Sequence, residues 1–279
     1  DNKKEESQVE SCKRCGISTI YPGVRMTRDG ICEVCENISR YKRFFDMYFK
    51  NLNDLKELIL EANKGKDTKY DCLLFHAGGR RSSYALYQLV NMGLRVMTAT
   101  YDNGYFGKKD MENIKLITNS LGVDHAFIKH KNSDKILKES MHSAHTVCRG
   151  CFHTSSSLAA EYAYNNNIPI TVGATLSRGQ IIENKLQMFF HQGVDNLQDL
   201  ETEIAKVQDS LPTIDKEIFD LIDIDIVKDR SAFKKVKPVD FYRYCDVSNK
   251  DLIEFLDNQH PHWKTRRNYA IYSTNCPIK

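Results

Sequence analysis

The sequence predicts an α/β protein built on a doubly wound parallel sheet, preceded by a small N-terminal zinc ribbon. The sheet is indicated by short apolar segments that alternate with helical ones, at 72–75, 94–101, 125–129 and 170–175. A glycine-rich turn follows the first of these segments, as is typical of a strand that leads into a binding loop. The ribbon is indicated by two Cys-x-x-Cys pairs near the start of the chain.

The composition fits a globular protein with one core domain and a small additional module. The chain has 279 residues, of which 41% are hydrophobic and 28% charged, and its net charge of +3 is too small to indicate nucleic-acid binding by itself. No apolar stretch has transmembrane length and no signal peptide opens the chain, so we expect a cytoplasmic protein with no membrane partner. Six of the nine cysteines lie in Cys-x-x-Cys pairs, which favours metal or redox chemistry in a reducing compartment.

The first two cysteine pairs are separated by sixteen residues, a spacing that suits four thiolates around one tetrahedral Zn²⁺. The predicted ligands are Cys12, Cys15, Cys32 and Cys35. A closed four-cysteine site has no open position for chemistry, so its role should be structural, and metal binding should drive the folding of so short a segment. We place the zinc ribbon at 1–40 and a helical linker at 41–66, where apolar residues recur at helical spacing.

The glycine-rich turn after the first strand is the strongest candidate for a binding site. It reads Ala77-Gly78-Gly79-Arg80-Arg81-Ser82-Ser83 and leads into an apolar helix. Glycine lets the backbone approach an oxygen atom closely, and the N-terminus of a helix favours negative charge. Serine hydroxyls and guanidinium groups add hydrogen bonds that suit phosphate. The alternative is an ordinary turn between a strand and a helix.

Ligands of parallel sheets bind outside the carboxyl ends of the strands. This rule places the glycine loop, the turn Tyr101–Gly104 and the segment Gly173–Thr175 along one crevice. Tyr101, Asp102 and Gly173 are therefore candidate ligand contacts, and Asp102 suits the role of a turn former equally well.

A third pair, Cys148-Arg-Gly-Cys151, leads into a helix that faces the same strand ends. Thiols at a helix start are typically reactive or metal-ligating. Cys72 lies inside the first strand and should be a small core residue. The stretch at about 187–230 is predicted to be a helical insertion over the rim of the crevice, a candidate lid, within a main domain at 67–279.

The glycine loop resembles the pyrophosphate loop of the PP-loop ATP pyrophosphatases, the adenine-nucleotide α-hydrolase-like superfamily with a Rossmann-like (HUP) fold. The motif of that superfamily is Ser-Gly-Gly-x-Asp-Ser, and here Ala77 replaces the first Ser and Arg81 replaces the Asp. The resemblance implies that ATP and Mg²⁺ bind at the loop, that the later strand ends border the adenosine, and that ATP is split between its α- and β-phosphates. Arg81 stands where the resemblance places a catalytic residue and is the candidate for that role here, and its substitution leaves open whether metal handling and catalysis are retained.

Two further resemblances concern the cysteines. The pattern Cys12-Lys-Arg-Cys15 followed by Asp29-Gly-x-Cys-x-x-Cys resembles the N-terminus of N-acetyl sugar amidotransferases. The later pair, followed by helix, strand and glycine, resembles the cluster-dependent tRNA thiolases of the same superfamily. In those enzymes a third cysteine beyond the last strand–helix unit completes the attachment of a [4Fe–4S] cluster, and Cys276 has that position here.

Three functions follow from these patterns. The leading hypothesis is an ATP-dependent sulfurtransferase that adenylates an acceptor carbonyl and replaces its oxygen with sulfur. The sulfur is held on a [4Fe–4S] cluster at Cys148, Cys151 and Cys276 or, without iron, as a persulfide with Cys148 and Cys151 as carrier and resolving thiol. The second is an amidotransferase that uses ammonia from a glutaminase partner. The third is a non-catalytic nucleotide-binding scaffold, suggested by Arg81. The sequence leaves open the sulfur donor, a homodimeric state, and whether the acceptor is a small molecule, a carrier-bound group or a tRNA.

Overall fold

The computed structural model describes residues 9–21, 23–182, 184–185 and 197–260. The helices before the last sheet strand are α1 Glu33–Tyr48, α2 Leu52–Asn63, α3 Arg80–Asn91, α4 Lys108–Ser120, α5 Ser133–Ala144, α6 Val147–Asn165, α7 Leu197–Ile214, α8 Lys216–Ile222, α9 Asp225–Lys228 and α10 Ser231–Lys235. The strands are β1 Cys72–Phe75, β2 Val96–Tyr101, β3 Asp124–Ile128, β4 Ile170–Gly173 and β5 Lys237–Asp240. A 3₁₀ turn Phe241–Arg243 and helix α11 Asn249–Gln259 follow, and residues 178–182 are also helical.

The five strands form one parallel sheet in the order β3-β2-β1-β4-β5. The predicted doubly wound α/β fold is confirmed. Neighbouring residues of β1 show why both faces are covered: Leu74 packs with α2, α3 and α11, whereas Leu73 packs with α6. A central strand that is covered on both faces should be apolar throughout, and the β1 sequence Cys-Leu-Leu-Phe is. Cys72 is fully buried in β1, which confirms its expected place in the core.

The chain reverses its direction of winding between β1 and β4, which lie side by side at the centre of the sheet. β2 and β3 lie on one side of β1, and β4 and β5 lie on the other. The carboxyl ends of β1 and β4 therefore flank the crevice in which open α/β sheets hold ligands.

The N-terminal cysteine module is joined to the sheet by one continuous helix. α1 begins directly after Cys32, and its last turn buries Phe45 and Tyr48 in the main core. The proposed boundary at 40 thus falls inside α1, and the domain limits stay predictions. In the described part of the chain no helix is long and apolar enough to cross a membrane.

The later part of the predicted insertion is packed into the domain. Ile218, Phe219 and Ile222 of α8 are buried against α5 and α6, in a cluster that includes Ile136 and Leu158. This packing argues against a freely moving lid from Lys216 onward. The beginning of the insertion, at 187–196, lies outside the described residues.

Candidate nucleotide and cysteine site

The glycine loop is fixed to the sheet by the residue that precedes it. His76 is fully buried; its N–H donates to Ala99 O (2.8 Å) and its Nε2 lies 3.2 Å from Ser83 Oγ. The hydroxyl of Thr100 donates to the His76 carbonyl. Burial and the neighbouring His125 lower the pKa of His76 to about 3, so its ring is neutral.

Gly78 is required by its conformation and by its surroundings. Its φ is +69°, and a Cβ at this position would lie 2.8 Å from Ile114 Cγ1 of α4. The positive φ restricts the position to glycine because other residues rarely adopt it. The short distance restricts it because a side chain would collide with Ile114. The glycine therefore allows the loop to lie against α4, which the sequence motif alone did not indicate.

The first turn of α3 has the character of an anion site. Its N-cap is Gly79, no described side chain caps it, and its first turn has no acidic residue. Ser82 Oγ and Ser83 Oγ are buried and donate to Gly79 O at 3.1 and 2.9 Å. The backbone N–H groups of the turn are thus the better phosphate donors, and the serines stabilise the turn.

Arg81 reaches across the crevice. Its Nη1 donates to Thr175 O (3.0 Å) and to Gln180 Oε1 (3.2 Å), and its own carbonyl accepts from Tyr242 Oη (3.0 Å). An aspartate at this position could not donate to Thr175. The residue that departs from the PP-loop motif therefore links α3 to the segment after β4, and its predicted catalytic role stays a prediction.

The end of β2 places a buried amide beside the third cysteine pair. Asp102 Oδ1 accepts from Gly104 N (3.0 Å) and Asp102 Oδ2 lies 3.3 Å from Lys129 Nζ, so Asp102 does form the turn. Asn103 is buried, and its Nδ2 donates to Cys151 Sγ at 3.6 Å. Sequence reasoning missed Asn103, although its position after a buried strand was the available signal. Tyr101 is buried, and its hydroxyl donates to Ser133 Oγ (3.0 Å).

Cys148 and Cys151 lie within the first five residues of α6, a segment called here the cysteine turn. The hydroxyl of the N-cap Thr146 accepts from Cys148 N (3.2 Å). Gly150, between them, donates to Ser140 Oγ (2.8 Å), and a Cβ there would lie 2.8 Å from Ser140 Cβ. Close packing of α5 on α6 therefore holds the cysteine turn in place.

A buried ion-pair network fixes the same turn from the other side. Arg149 Nη2 and Nε lie 2.6 and 2.9 Å from the two oxygens of Asp215, and His153 Nε2 lies 2.7 Å from Asp215 Oδ2. Asp215 precedes α8 and is buried, as is His153. Burial lowers the pKa of His153 although Asp215 opposes the shift. No sequence pattern had indicated this network.

Gly173 ends β4 beside Asp240 of β5, and a Cβ on Gly173 would lie 3.7 Å from Asp240 Oδ1. Burial raises the pKa of Asp240. The contacts from Arg81 to Thr175 and from Asn103 to Cys151 bring the predicted residues to one edge of the sheet. Cys276 lies outside the described residues.

The N-terminal cysteines form a compact set of sulfur atoms. The Sγ atoms of Cys12, Cys15, Cys32 and Cys35 all lie within 4.8 Å of one another. Backbone N–H groups of Arg14 and Cys32 donate to Cys12 Sγ at 3.4 and 3.2 Å and lower its pKa to about 6. Burial and the neighbouring thiols raise the pKa of Cys35 to about 12. Four thiols in this arrangement fit one tetrahedral metal ion.

In the part of the chain that the structure describes, these four cysteines are the only group of three or more His, Cys, Asp or Glu side chains close enough to hold a metal. The described residues therefore supply Cys148 and Cys151 with no third ligand.

The fold and these sites define an α/β protein of the doubly wound, Rossmann-like type, with a glycine loop at the switch point of its sheet and four cysteines in its N-terminal module that are placed to hold a metal. No protein-family model matches the sequence, and no curated protein matches it.

Several solved structures are similar in fold. A U34-tRNA thiolase from Methanococcus maripaludis with its [4Fe–4S] cluster shares 14% identity over 95% of this chain and 76% of that one, at a TM-score of 0.47. An NH₃-dependent NAD synthetase from Campylobacter jejuni shares 16% sequence identity, and the match covers 67% of this chain and 96% of that one at a TM-score of 0.36. An NMN synthetase from Francisella tularensis shares 14% sequence identity, and the match covers 84% of this chain and 98% of that one at a TM-score of 0.34. All three are distant likenesses.

Proposed function

We propose that the protein is an ATP-dependent sulfurtransferase of the PP-loop type. The observation that carries the proposal is the contact between Asn103 and Cys151, because it places a cysteine pair at the carboxyl edge of the sheet that also bears the glycine loop. A cysteine pair has a direct use in sulfur transfer and none in transfer of ammonia.

In the proposed reaction, the phosphates of ATP lie on the uncapped first turn of α3, with Mg²⁺ accompanying the nucleotide. The carbonyl oxygen of the acceptor attacks the α-phosphorus, and pyrophosphate leaves. A sulfur nucleophile then attacks the activated carbon, and AMP leaves with the former carbonyl oxygen. His76 and Gly78 hold the loop in position for these steps.

The sulfur nucleophile is proposed to be held at Cys148, Cys151 and Cys276. Three thiolates would bind a [4Fe–4S] cluster and leave one iron free to bind sulfide. Without iron, one thiol of the pair would attack the outer sulfur of a donor persulfide, whose own thiol leaves, and the outer sulfur of the persulfide so formed would attack the acceptor carbon. The second thiol would then attack the inner sulfur, release the product and leave a disulfide that an external thiol reduces.

We propose that Cys12, Cys15, Cys32 and Cys35 bind a structural Zn²⁺. Closed coordination by four thiolates leaves no position for a substrate, so this site would stabilise the module and take no part in the reaction.

The test supplies anaerobically purified protein with ATP, Mg²⁺ and either bulk tRNA or a pool of small metabolites. The radioactive sulfur source is sulfide in one assay and a small-molecule persulfide with a reducing thiol in a second assay. We expect pyrophosphate release and labelled product in one of these pools. Cys148→Ser and Cys151→Ser should abolish the label while nucleotide binding is retained. Cys245→Ala changes a buried cysteine outside the site and should transfer sulfur normally.

Metal analysis of the same protein separates the two sulfur carriers, since iron and a broad visible absorbance indicate the cluster and their absence indicates the persulfide. Pyrophosphate release that depends on ammonia rather than sulfide would replace the proposal with the amidotransferase. Nucleotide binding without turnover in any pool would replace it with the scaffold.

A further inference from the structure

Two imidazole rings lie edge to face inside the sheet domain, on the side that α3 and α4 cover. Residues two apart in a strand share a face, so His76 lies with Leu74, and His125 lies opposite Thr98 in the neighbouring strand. The centroids of the two histidine rings are 6.3 Å apart and the ring planes are inclined by 87°. His125 meets Phe127 edge to face at only 4.5 Å, so the two histidine rings are spaced more widely than rings in close contact.

The tautomer of each ring follows from the hydroxyl group beside it. Ser83 Oγ donates its one hydrogen to the N-cap carbonyl of α3 (2.9 Å), so it can only accept from His76 Nε2, at 3.2 Å. Thr98 Oγ1 likewise donates to Asp124 O (2.9 Å) and accepts from His125 Nδ1 (2.8 Å). His76 is therefore protonated at Nε2 and His125 at Nδ1, and the other nitrogen of each ring carries a lone pair.

The two lone-pair nitrogens are buried without a partner. His76 Nδ1 and His125 Nε2 are closed to solvent, and neither has a hydrogen-bond partner within the described ranges of the chain. Burial lowers the pKa of His76 to about 3 and that of His125 to about 4, so neither lone pair takes up a proton at neutral pH. Two buried acceptors without a donor are unfavourable, so the space between the rings favours a small neutral molecule that donates two hydrogen bonds.

A metal ion does not suit this pair of nitrogens. Two nitrogens bound to one tetrahedral Zn²⁺ lie about 3.4 Å apart, since each Zn–N bond is about 2.0–2.1 Å long. A ring nitrogen lies about 1.2 Å from its ring centre, so rings with centroids 6.3 Å apart bring their nitrogens no closer than about 4 Å. The described residues also place no third His, Cys, Asp or Glu ligand beside the pair. A water molecule that donates to both nitrogens spans roughly 4.5–5 Å, which the two rings allow.

We propose that one water molecule binds between His76 Nδ1 and His125 Nε2, and that through this water His125 positions the glycine loop. The water donates one hydrogen to each ring. It completes a chain of hydrogen bonds that runs from Asp124 O in β3, through Thr98 and the two histidines, to Ser83 in the first turn of α3. A single buried water of this kind belongs to the fold, while bulk solvent stays outside. The water site does not depend on the proposed sulfur transfer.

The first test is a crystal structure of the full, metal-loaded chain at a resolution that shows ordered water. We expect one water peak within about 3.2 Å of both lone-pair nitrogens. Nitrogen NMR of the same protein with labelled histidine should show His76 protonated at Nε2 and His125 at Nδ1. An ordered structure without that peak, a peak with the anomalous signal of a metal, or the opposite tautomer in either ring would overturn the water site.

The second test uses two replacements of His125 that differ in one acceptor. In His125→Gln the amide can still donate to Thr98 and accept from the water, so the water and the loop should be unchanged. His125→Phe removes the acceptor, and it should lose the water and raise hydrogen exchange in the first turn of α3 about tenfold, as expected for one lost hydrogen bond.

The control is His130→Phe, which changes a histidine whose two ring nitrogens both have protein partners, Ile222 O and Asn132 N. It should leave the water and the exchange of α3 unchanged. Equal exchange of α3 in His125→Gln and His125→Phe, or a rise of the same size in His130→Phe, would overturn the positioning role of His125.

Discussion

At the scale of single residues, the loop depends on a neutral histidine in a place from which bulk water is excluded. The pKa of His76 is lowered from 6.5 to about 3 by burial, so the folded state keeps the ring neutral where the unfolded chain protonates it. Its contribution is therefore complete above about 6.5 and is lost progressively as the pH falls toward about 3. We expect the free energy of unfolding, measured in urea, to decrease as the pH is lowered through this window.

The matched variant is His76→Gln, which can still donate to Ser83 but does not titrate. It should flatten the pH dependence, and a residual slope should persist because the pKa of His125 is also lowered, to about 4. An unchanged slope in His76→Gln would show that His76 is not the group responsible.

Gly78 allows backbone strain to be separated from packing. Gly78 and Gly93 both have positive φ, +69° and +78°, but a Cβ would meet Ile114 at Gly78 and open space at Gly93. Gly93→Ala should cost about 1 kcal/mol for the left-handed backbone. Gly78→Ala should cost a further 1–3 kcal/mol, roughly, for overpacking, together with loss of nucleotide binding. Equal unfolding midpoints for the two variants would contradict the close approach of the loop to α4.

At the scale of elements, Arg81 joins α3 to the segment after β4. Arg81→Asp removes the hydrogen bonds to Thr175 and Gln180 and supplies the acid of the PP-loop motif. Hydrogen exchange should rise at 174–180 and stay unchanged in β2. With Mg²⁺, ATP and acceptor, this variant should release more pyrophosphate, because a carboxylate is a Mg²⁺ ligand. Arg80→Ala is the control for hydrogen exchange, since it removes the neighbouring guanidinium and leaves the hydrogen bonds of Arg81 in place. Unchanged hydrogen exchange at 174–180 in Arg81→Asp would argue against the link between α3 and that segment.

Asp215 connects α8 to the cysteine turn of α6. Asp215→Asn leaves Arg149 without its anion and should destabilise the fold by about 1–3 kcal/mol, with faster alkylation of Cys148 and Cys151 as the turn loosens. Asp220→Asn breaks only the exposed pair with Lys216 and should cost less than about 0.5 kcal/mol. Urea unfolding measures the stability of each variant, and peptide mass spectrometry measures the alkylation rate. Equal losses of stability in the two variants would contradict the special role of Asp215.

These elements show what the sequence could and could not predict. Strand and helix positions followed from local patterns; α11, for example, begins after Ser248 as its capping pattern indicates. The pattern at 235–242 predicts a longer last strand than the structure has. The strand occupies only Lys237–Asp240, since Lys235 ends α10 and Phe241 opens a 3₁₀ turn. Arg81, Asn103 and Asp215 act through partners 48 to 161 positions away in the chain, and no local pattern encodes such contacts.

At the scale of the whole molecule, α1 carries both the metal site and a part of the main core. Cys32 and Cys35 lie at its start, while Tyr48 is buried at its end under the cation of Arg243. The two ends should therefore respond differently to metal removal. The N-terminal module has little core of its own, so we expect it to depend on a bound metal, whereas the last turn of α1 is held by the sheet domain.

Cys32→Ser should release the metal and raise hydrogen exchange from residue 9 to the first turns of α1, with protection retained at 45–49 and in the five strands. Cys72→Ser alters a buried cysteine of β1. It should leave the metal bound and raise hydrogen exchange in the sheet, which it weakens. Elemental analysis gives the metal content of each variant. Normal metal content in Cys32→Ser would exclude the four-cysteine site, whereas loss of protection throughout the sheet would show that the metal supports the whole fold rather than its first module.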